Sequence, residues 1–293
     1  MPVDEKGEKK YIYAQKLHIF YRGSFGMKKN IFARKAMSLC FAALLGAAAM
    51  SMMSCGAKKA QVEINAIEDL VGKKVGVQAG TTGELYVSEE MQGVTVKSFK
   101  TGVEAALDLK NGACDAVVLD ELVAKEIVKR NKDLKIVNAP FATEEYAIAV
   151  RKGDAELLNS INKTIEKMKA DGSYDALTAA FMSADGKITL PADIESAGSG
   201  VVKMGTNAAF PPFEYIEGVK VVGFDVTMAQ YIARDLGKKL EVVDMNFDGL
   251  IAALQAGSID FIAAGMTATD ERRKNVDFSQ AYYSTSQVII VRK

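Results

Sequence analysis

The sequence predicts an α/β protein in which parallel sheets are covered by helices. Three observations carry this. Short apolar segments alternate with amphipathic ones over residues 66–138, the same alternation returns over 201–290, and helix-stop glycines punctuate both stretches. Repeated strand-helix alternation implies parallel strands joined by helical crossovers.

Taken in order, residues 75–78, 116–119 and 134–137 read as strands. Thr101 caps a helix that ends at Gly112, and 121–131 reads as the next helix. Residues 146–152 form a strand, and 155–171 and 174–182 read as helices. In the second alternation Asp225 caps a helix closed by Gly237, and 247–256 is closed by Gly257. An apolar strand over 260–264 then leads through a short polar turn into a basic helix. The strand at 286–293 echoes the one at 146–152, because both end in Val-Arg-Lys.

The leader reads differently. Met27-Lys28-Lys29 opens a basic segment, and an apolar run rich in Ala, Leu and Met follows and stops at Ser54-Cys55-Gly56. Charged start, apolar middle and small residue before the cut describe a secretory signal over 27–54. A cysteine at the cut predicts a bacterial lipoprotein acylated at Cys55, with 55–65 as its tether. The run is short for a transmembrane span of ~20 residues. Residues 1–26 precede a complete signal and read as an extension from a misassigned start.

Composition narrows the chemistry. The chain has 37 basic and 37 acidic residues. Removing the nine Lys or Arg and three Asp or Glu of residues 1–54 leaves 28 basic and 34 acidic, a net of −6. No basic stripe suited to nucleic acid remains. Of three cysteines, Cys40 leaves with the signal and Cys55 is the acyl site, so Cys114 reads as an unpaired structural thiol. The one histidine, His18, lies in the leader, which argues against Ser-His-Asp and Cys-His catalysis and against a His-ligated metal. No cofactor is expected.

The motif richest in chemistry is Ala263-Ala264-Gly265-Met266-Thr267-Ala268-Thr269-Asp270-Glu271-Arg272-Arg273-Lys274-Asn275-Val276-Asp277-Phe278-Ser279. It gathers backbone donors, a threonine hydroxyl and a guanidinium, which together suit a small carboxylate. Upstream stand Gly205-Thr206-Asn207-Ala208-Ala209-Phe210-Pro211-Pro212-Phe213-Glu214-Tyr215, Val222-Gly223-Phe224-Asp225-Val226 and Asn246-Phe247-Asp248-Gly249-Leu250. These resemble the first half of the extracytoplasmic solute-binding proteins for polar amino acids, family 3, which feed ABC importers. Gly72-Lys73-Lys74-Val75-Gly76-Val77-Gln78-Ala79-Gly80-Thr81-Thr82-Gly83 and Asp115-Ala116-Val117-Val118-Leu119-Asp120 resemble that family's second half, yet they come first. The resemblance therefore implies a circularly permuted, type II periplasmic-binding-protein fold, with two Rossmann-like lobes around a ligand cleft. Lobe 2 is expected at 66–148 and lobe 1 at 149–293, with 183–200 as the linker between the family's usual termini. One interlobe crossover is expected intact at 146–152. The other is expected to be severed, so that 287–291 is held by hydrogen bonding and packing alone, the chain end frays, and ligand slows exchange in 288–291 more than in 148–150.

The resemblance also implies roles. Arg272 takes the ligand carboxylate, with Thr267 and the close backbone of Gly265. Read alone, Arg272 would be one of three solvated charges on a helix, the reading kept for Arg273 and Lys274. Asp120 takes the α-ammonium, the alternative being a plain helix cap. Thr82 is read as a carboxylate donor from the opposite lobe. Phe210 and Phe247 sandwich the side chain, with core packing as the alternative, while Phe213 and Phe224 read as core. Asn207 and Gln78 recognise the side chain, both as neutral amides where relatives carry charge. The partners implied are a polar L-amino acid and a membrane permease, for a monomer outside the cytoplasm. Competing functions are a dehydratase-like enzyme on the same fold and an extracellular sensory domain.

Overall fold

The computed structural model describes residues 63–293. The readings for the 1–26 extension, the 27–54 signal, His18, Cys40 and Cys55 lie outside the described residues, as does most of the 55–65 tether.

The chain enters through a 3₁₀ turn (Ile67–Leu70). It then runs β1 (Lys74–Gln78), α1 (Thr82–Leu85), β2 (Thr95–Phe99), α2 (Gly102–Lys110), β3 (Ala116–Asp120), α3 (Glu121–Arg130), β4 (Leu134–Ile136) and β5 (Ala142–Tyr146). After these come β6 (Ala149–Arg151), α4 (Ala155–Asp171), α5 (Ser173–Phe181), β7 (Val201–Thr206), β8 (Ala209–Phe210), β9 (Glu214–Glu217) and β10 (Lys220–Val222). The remainder is α6 (Phe224–Asp235), β11 (Lys239–Asp244), α7 (Leu250–Gln255), β12 (Phe261–Ile262), α8 (Asp270–Asn275), β13 (Val276–Phe278) and β14 (Tyr283–Arg292).

Local chemistry accounts for the helix ends. The Thr101 hydroxyl accepts from Glu104 N while Glu104 accepts from Thr101 N, a reciprocal box that starts α2. Asp154 accepts from Leu157 N at the start of α4, and Gly172, at φ +82°, stops it. Asp225, by contrast, does not cap α6. Phe224 N and Asp225 N already donate to the Pro212 and Phe213 carbonyls. Gly223 holds the cap position at φ +140°, where an added Cβ would lie 2.0 Å from the Phe213 carbonyl oxygen. The Asp225 side chain is left free to turn into the core, where it is fully buried.

Two sheets form the body. In the first, the order is β2-β1-β3-β14-β4, with β5 pairing the leading half of β14. In the second, it is β11-β7-β12-β6-β13. Strands β2-β1-β3 and β11-β7-β12 run parallel, as the alternation predicts. Strands β14 and β6 run antiparallel to their neighbours, because each arrives from the other sheet rather than through a helix. Strand β3 is buried at all five positions, which fits a strand covered on both faces. A small antiparallel sheet, β10-β9-β8, completes the second lobe.

The placement of β14 corrects the expected lobe boundary. Residues 283–292 do not stay with 149–282 but lie inside the first sheet, with Gln287 opposite Asp120 and Ile290 opposite both Val117 and Ile136. Pairing on both flanks is what draws the strand across. Consequently both interlobe connections are covalent, one between β5 and β6 and the other between β13 and β14. The expected severed crossover is absent from the structure. Val288, Ile289 and Ile290 are at most 2% exposed, and the Arg292 guanidinium donates to the Leu109 and Cys114 carbonyls. Hydrogen exchange followed by mass spectrometry should therefore find 288–291 protected as well as 148–150. Ile289→Ala should cost about 2–5 kcal/mol in urea denaturation, the usual range for emptying a buried aliphatic site. A loss under about 0.5 kcal/mol, typical of a surface position, would show that the strand is not integral.

Beneath the two connections sits an aromatic cluster. Tyr146 and Tyr283 each meet Phe213 edge-on at 5.1 Å, and Tyr282 stacks on Phe224 at 6.1 Å. Such pairs contribute beyond their burial and fix the strands at the point where they change lobe. Residues 183–200 join α5 to β7 with no helix or strand, tied down by Ile194 N to Gln230 and by the Lys220–Asp193 ion pair.

Candidate functional site

Arg272 lies on α8, whose first turn is capped by the Thr269 hydroxyl accepting from Arg272 N. Its guanidinium donates through Nη1 to the Thr267 carbonyl at 2.7 Å and through Nη2 to the Gly80 carbonyl at 2.8 Å. It also rests over the Phe247 ring, 5.3 Å from the centroid. Thr267 belongs to the second lobe and Gly80 to the first, so the side chain bridges the cleft. Arg272 is 8% exposed, and none of the ion pairs among the described residues includes it. Burial pulls its pKa below the usual value, against the opposing pull of Glu144 and Asp120. A guanidinium buried without a carboxylate is costly unless an anion completes it.

The complementary charge is Asp120, at the carboxyl end of β3, where ligands of parallel sheets bind. It occupies the cap position of α3 but makes no side-chain capping bond. Instead it accepts from the Tyr146 hydroxyl at 2.5 Å. Burial, reinforced by the neighbouring Glu144 charge, pushes its carboxyl up to about 7, with the Tyr146 hydroxyl pulling the other way. It has no cationic partner among the described residues.

Side-chain recognition groups flank this pair. Gln78 Nε2 donates to Asn207 Oδ1 at 2.9 Å, joining the lobes, and Asn207 Nδ2 donates to the Met245 carbonyl. Gln78 Oε1 is buried without a partner. Phe210 and Phe247 are 6% and 9% exposed and form apolar walls. Gly265 has φ +53°, and an added Cβ would lie 2.7 Å from the Phe210 ring. Its N–H donates to Asp225 Oδ2, which also accepts from the Tyr282 hydroxyl. Burial pushes Asp225 up to about 6. Burial, reinforced by the Asp225 charge, pushes adjacent Glu214 well above the usual carboxyl value.

One cleft is thus lined by all nine residues singled out from the sequence, Gln78, Thr82, Asp120, Asn207, Phe210, Phe247, Gly265, Thr267 and Arg272, together with Thr81 and Glu214. Phe213 and Phe224 lie in the core, as does free Cys114. No cluster of three metal-ligating side chains occurs among the described residues.

Glu144 is the residue that sequence reasoning missed. It is 3% exposed on β5, and one carboxylate oxygen accepts from the hydroxyls of both Thr82, at 2.9 Å, and Thr267, at 2.7 Å. The signal was its register. Side chains two apart on a strand share a face, so an inward Tyr146 places Glu144 inward too.

Two lobes, doubly connected, close over the buried Arg272 guanidinium and the buried carboxyls of Asp120 and Glu144. The chain belongs to the bacterial extracellular solute-binding proteins, family 3, whose model matches residues 28–184 and 202–293. The break in that match falls on the irregular 183–200 segment. The chain is 48% identical over 90 residues to the arginine-binding extracellular protein ArtP of Bacillus subtilis (strain 168), covering 31% of this chain and 35% of that one. It is 37% identical over 123 residues to the L-cystine-binding protein TcyJ of Escherichia coli (strain K12), covering 42% and 46%. A solved ancestral arginine-binding protein bound to arginine shares 51% identity over 29% of this chain and 38% of its own, with a TM-score of 0.28. The chain spans less than half the length of these curated relatives in alignment. The family is one of binding proteins, not enzymes.

Proposed function

We propose that this protein binds a polar L-amino acid between its lobes and hands it to the membrane permease of an ABC importer. The observation that carries the reading is the unpaired buried guanidinium of Arg272 sharing a cleft with the unpaired buried carboxyl of Asp120. A free amino acid supplies the missing charges in one molecule, its carboxylate for Arg272 and its ammonium for Asp120. Thr82 and Thr267 add hydroxyl donors to the carboxylate, Gly265 lets the backbone approach closely, Phe210 and Phe247 clasp the side chain, and the neutral amides Gln78 and Asn207 read its polar end. Relatives named for arginine and cystine fit a polar ligand.

In this reading the family's halves are joined in exchanged order, with 183–200 as the join, and the protein works as a monomer. It is exported by the 27–54 signal and anchored through acylated Cys55. The cleft holds no observation that favours an enzyme or a sensory module over a carrier.

A thermal-shift screen of the purified protein against the common L-amino acids tests the reading. The cognate one should stabilise it by about 2.7 kcal/mol at a hundredfold excess over its Kd. Absence of a shift with every amino acid would overturn the proposal.

A further inference from the structure

The Glu144 carboxylate stands where the ligand's own carboxylate has its donors. A threonine hydroxyl has one proton to donate. With both the Thr82 and Thr267 protons directed at the same Glu144 oxygen, neither is available to a second carboxylate. Glu144 also carries the largest opposing charge felt by Arg272, ahead of Asp120, without forming an ion pair with it. Its other oxygen is buried with no partner. The oxygen that takes both hydroxyls also accepts from Gln287 Nε2 at 3.5 Å, so the anion is held by two hydroxyls, one from each lobe, and by an amide of the adjacent strand while it faces a cation.

We propose that Glu144 is an internal competitor for the carboxylate subsite and sets the affinity of the cleft. It latches Thr82 of one lobe to Thr267 of the other until a ligand carboxylate takes both hydroxyls and expels it. This rests on the amino-acid reading of the cleft. A route for the expelled side chain exists: Glu144 also lines a second pocket on the hinge side, where Arg273, Tyr86 and Ser284 face it together with the acid Glu145. An open polar pocket bearing a guanidinium accepts a displaced carboxylate without stranding its charge. Binding strength is then the difference between two carboxylates on one set of donors, not the full strength of either.

Two arms separate this proposal from the reading beneath it. The first needs no ligand. Small-angle scattering of the ligand-free protein should show a closed molecule, Glu144→Ala should raise its radius of gyration, and Glu144→Gln, which keeps an acceptor for both hydroxyls, should leave it closed. The second arm titrates wild type and Glu144→Ala calorimetrically with L-arginine, L-glutamine and L-cystine. Any of these that binds wild type should bind Glu144→Ala about tenfold more tightly, the scale of one charge-assisted hydrogen bond no longer opposed. Cooperative thermal unfolding of both variants confirms that they are folded. An unchanged radius of gyration in Glu144→Ala, or weaker binding by that variant, overturns the latch while leaving amino-acid binding intact. Loss of all ligand response in wild type overturns the reading beneath it instead.

Discussion

Arg272→Ala is expected to abolish amino-acid binding while leaving a folded protein. The guanidinium is the cleft's one buried cation, and the substitution leaves a ligand carboxylate facing apolar walls and the charges of Asp120 and Glu144. Truncating one partner of a buried, hydrogen-bonded charge pair costs about 2–5 kcal/mol, a loss of about thirtyfold to several thousandfold in affinity. The same change frees the Thr267 and Gly80 carbonyls, both now held across the cleft. Arg272→Lys should recover only part of the loss, because an ammonium cannot reproduce the planar fork that reaches two carbonyls and a carboxylate together. Isothermal calorimetry with the amino acid from the screen decides it. Undiminished affinity in Arg272→Ala would remove the carboxylate assignment.

Affinity should rise with pH up to about 7, the value to which burial and Glu144 push Asp120. The direction follows from linkage. An ammonium pairs with the ionised carboxylate, so below that pH each ligand bound must expel a proton from Asp120. For stability without ligand the sign is opposite. A carboxyl raised from 3.8 to about 7 binds more protons folded than unfolded. Its contribution is therefore fully present below about pH 4 and lost as pH rises through about 7. Asp225, raised to about 6, behaves the same way over a narrower window. Asp120→Asn should weaken binding on the scale of the Arg272 variant and flatten its pH dependence between about pH 5 and pH 8. Calorimetry in buffers of different ionisation enthalpy counts the protons. Proton uptake on binding, or a wild-type affinity indifferent to pH, would contradict the pairing.

Much of this molecule was legible before folding because its information is local. The apolar runs at 75–78 and 116–119 read as strands, Thr101 reads as a cap three residues before Glu104, and each forms as expected. The cleft residues were legible because they follow strands or occupy turns in distinctive motifs. What stayed hidden depends on distance along the chain. Residues 286–293 carry the same local pattern as 146–152, so nothing nearby says which lobe receives them. That is decided by pairing between Gln287 and Asp120, remote in sequence. Glu144 sits between Thr143 and Glu145, and a polar triplet reads as a solvated strand edge unless Tyr146 is already known to point inward. Asp225 resembles a helix cap by position, and only the occupation of its neighbours' N–H groups by Pro212 and Phe213 shows why it turns the other way.

The interior position of β14 bears on synthesis. Self-contained domains fold from the N-terminal side as they emerge from the ribosome. Here the first sheet cannot do so, because the strand between β3 and β4 is the last one of the described chain to be made. The second sheet waits as well, since β6 must pair with β12 and β13, more than a hundred residues later. A nascent chain of this order cannot complete either sheet until β13 and β14 have been made. A loose polymer can be threaded through a narrow pore, whereas a finished sheet cannot. The topology thus makes completion of the first sheet wait for β14, long after β1 to β4 have been made.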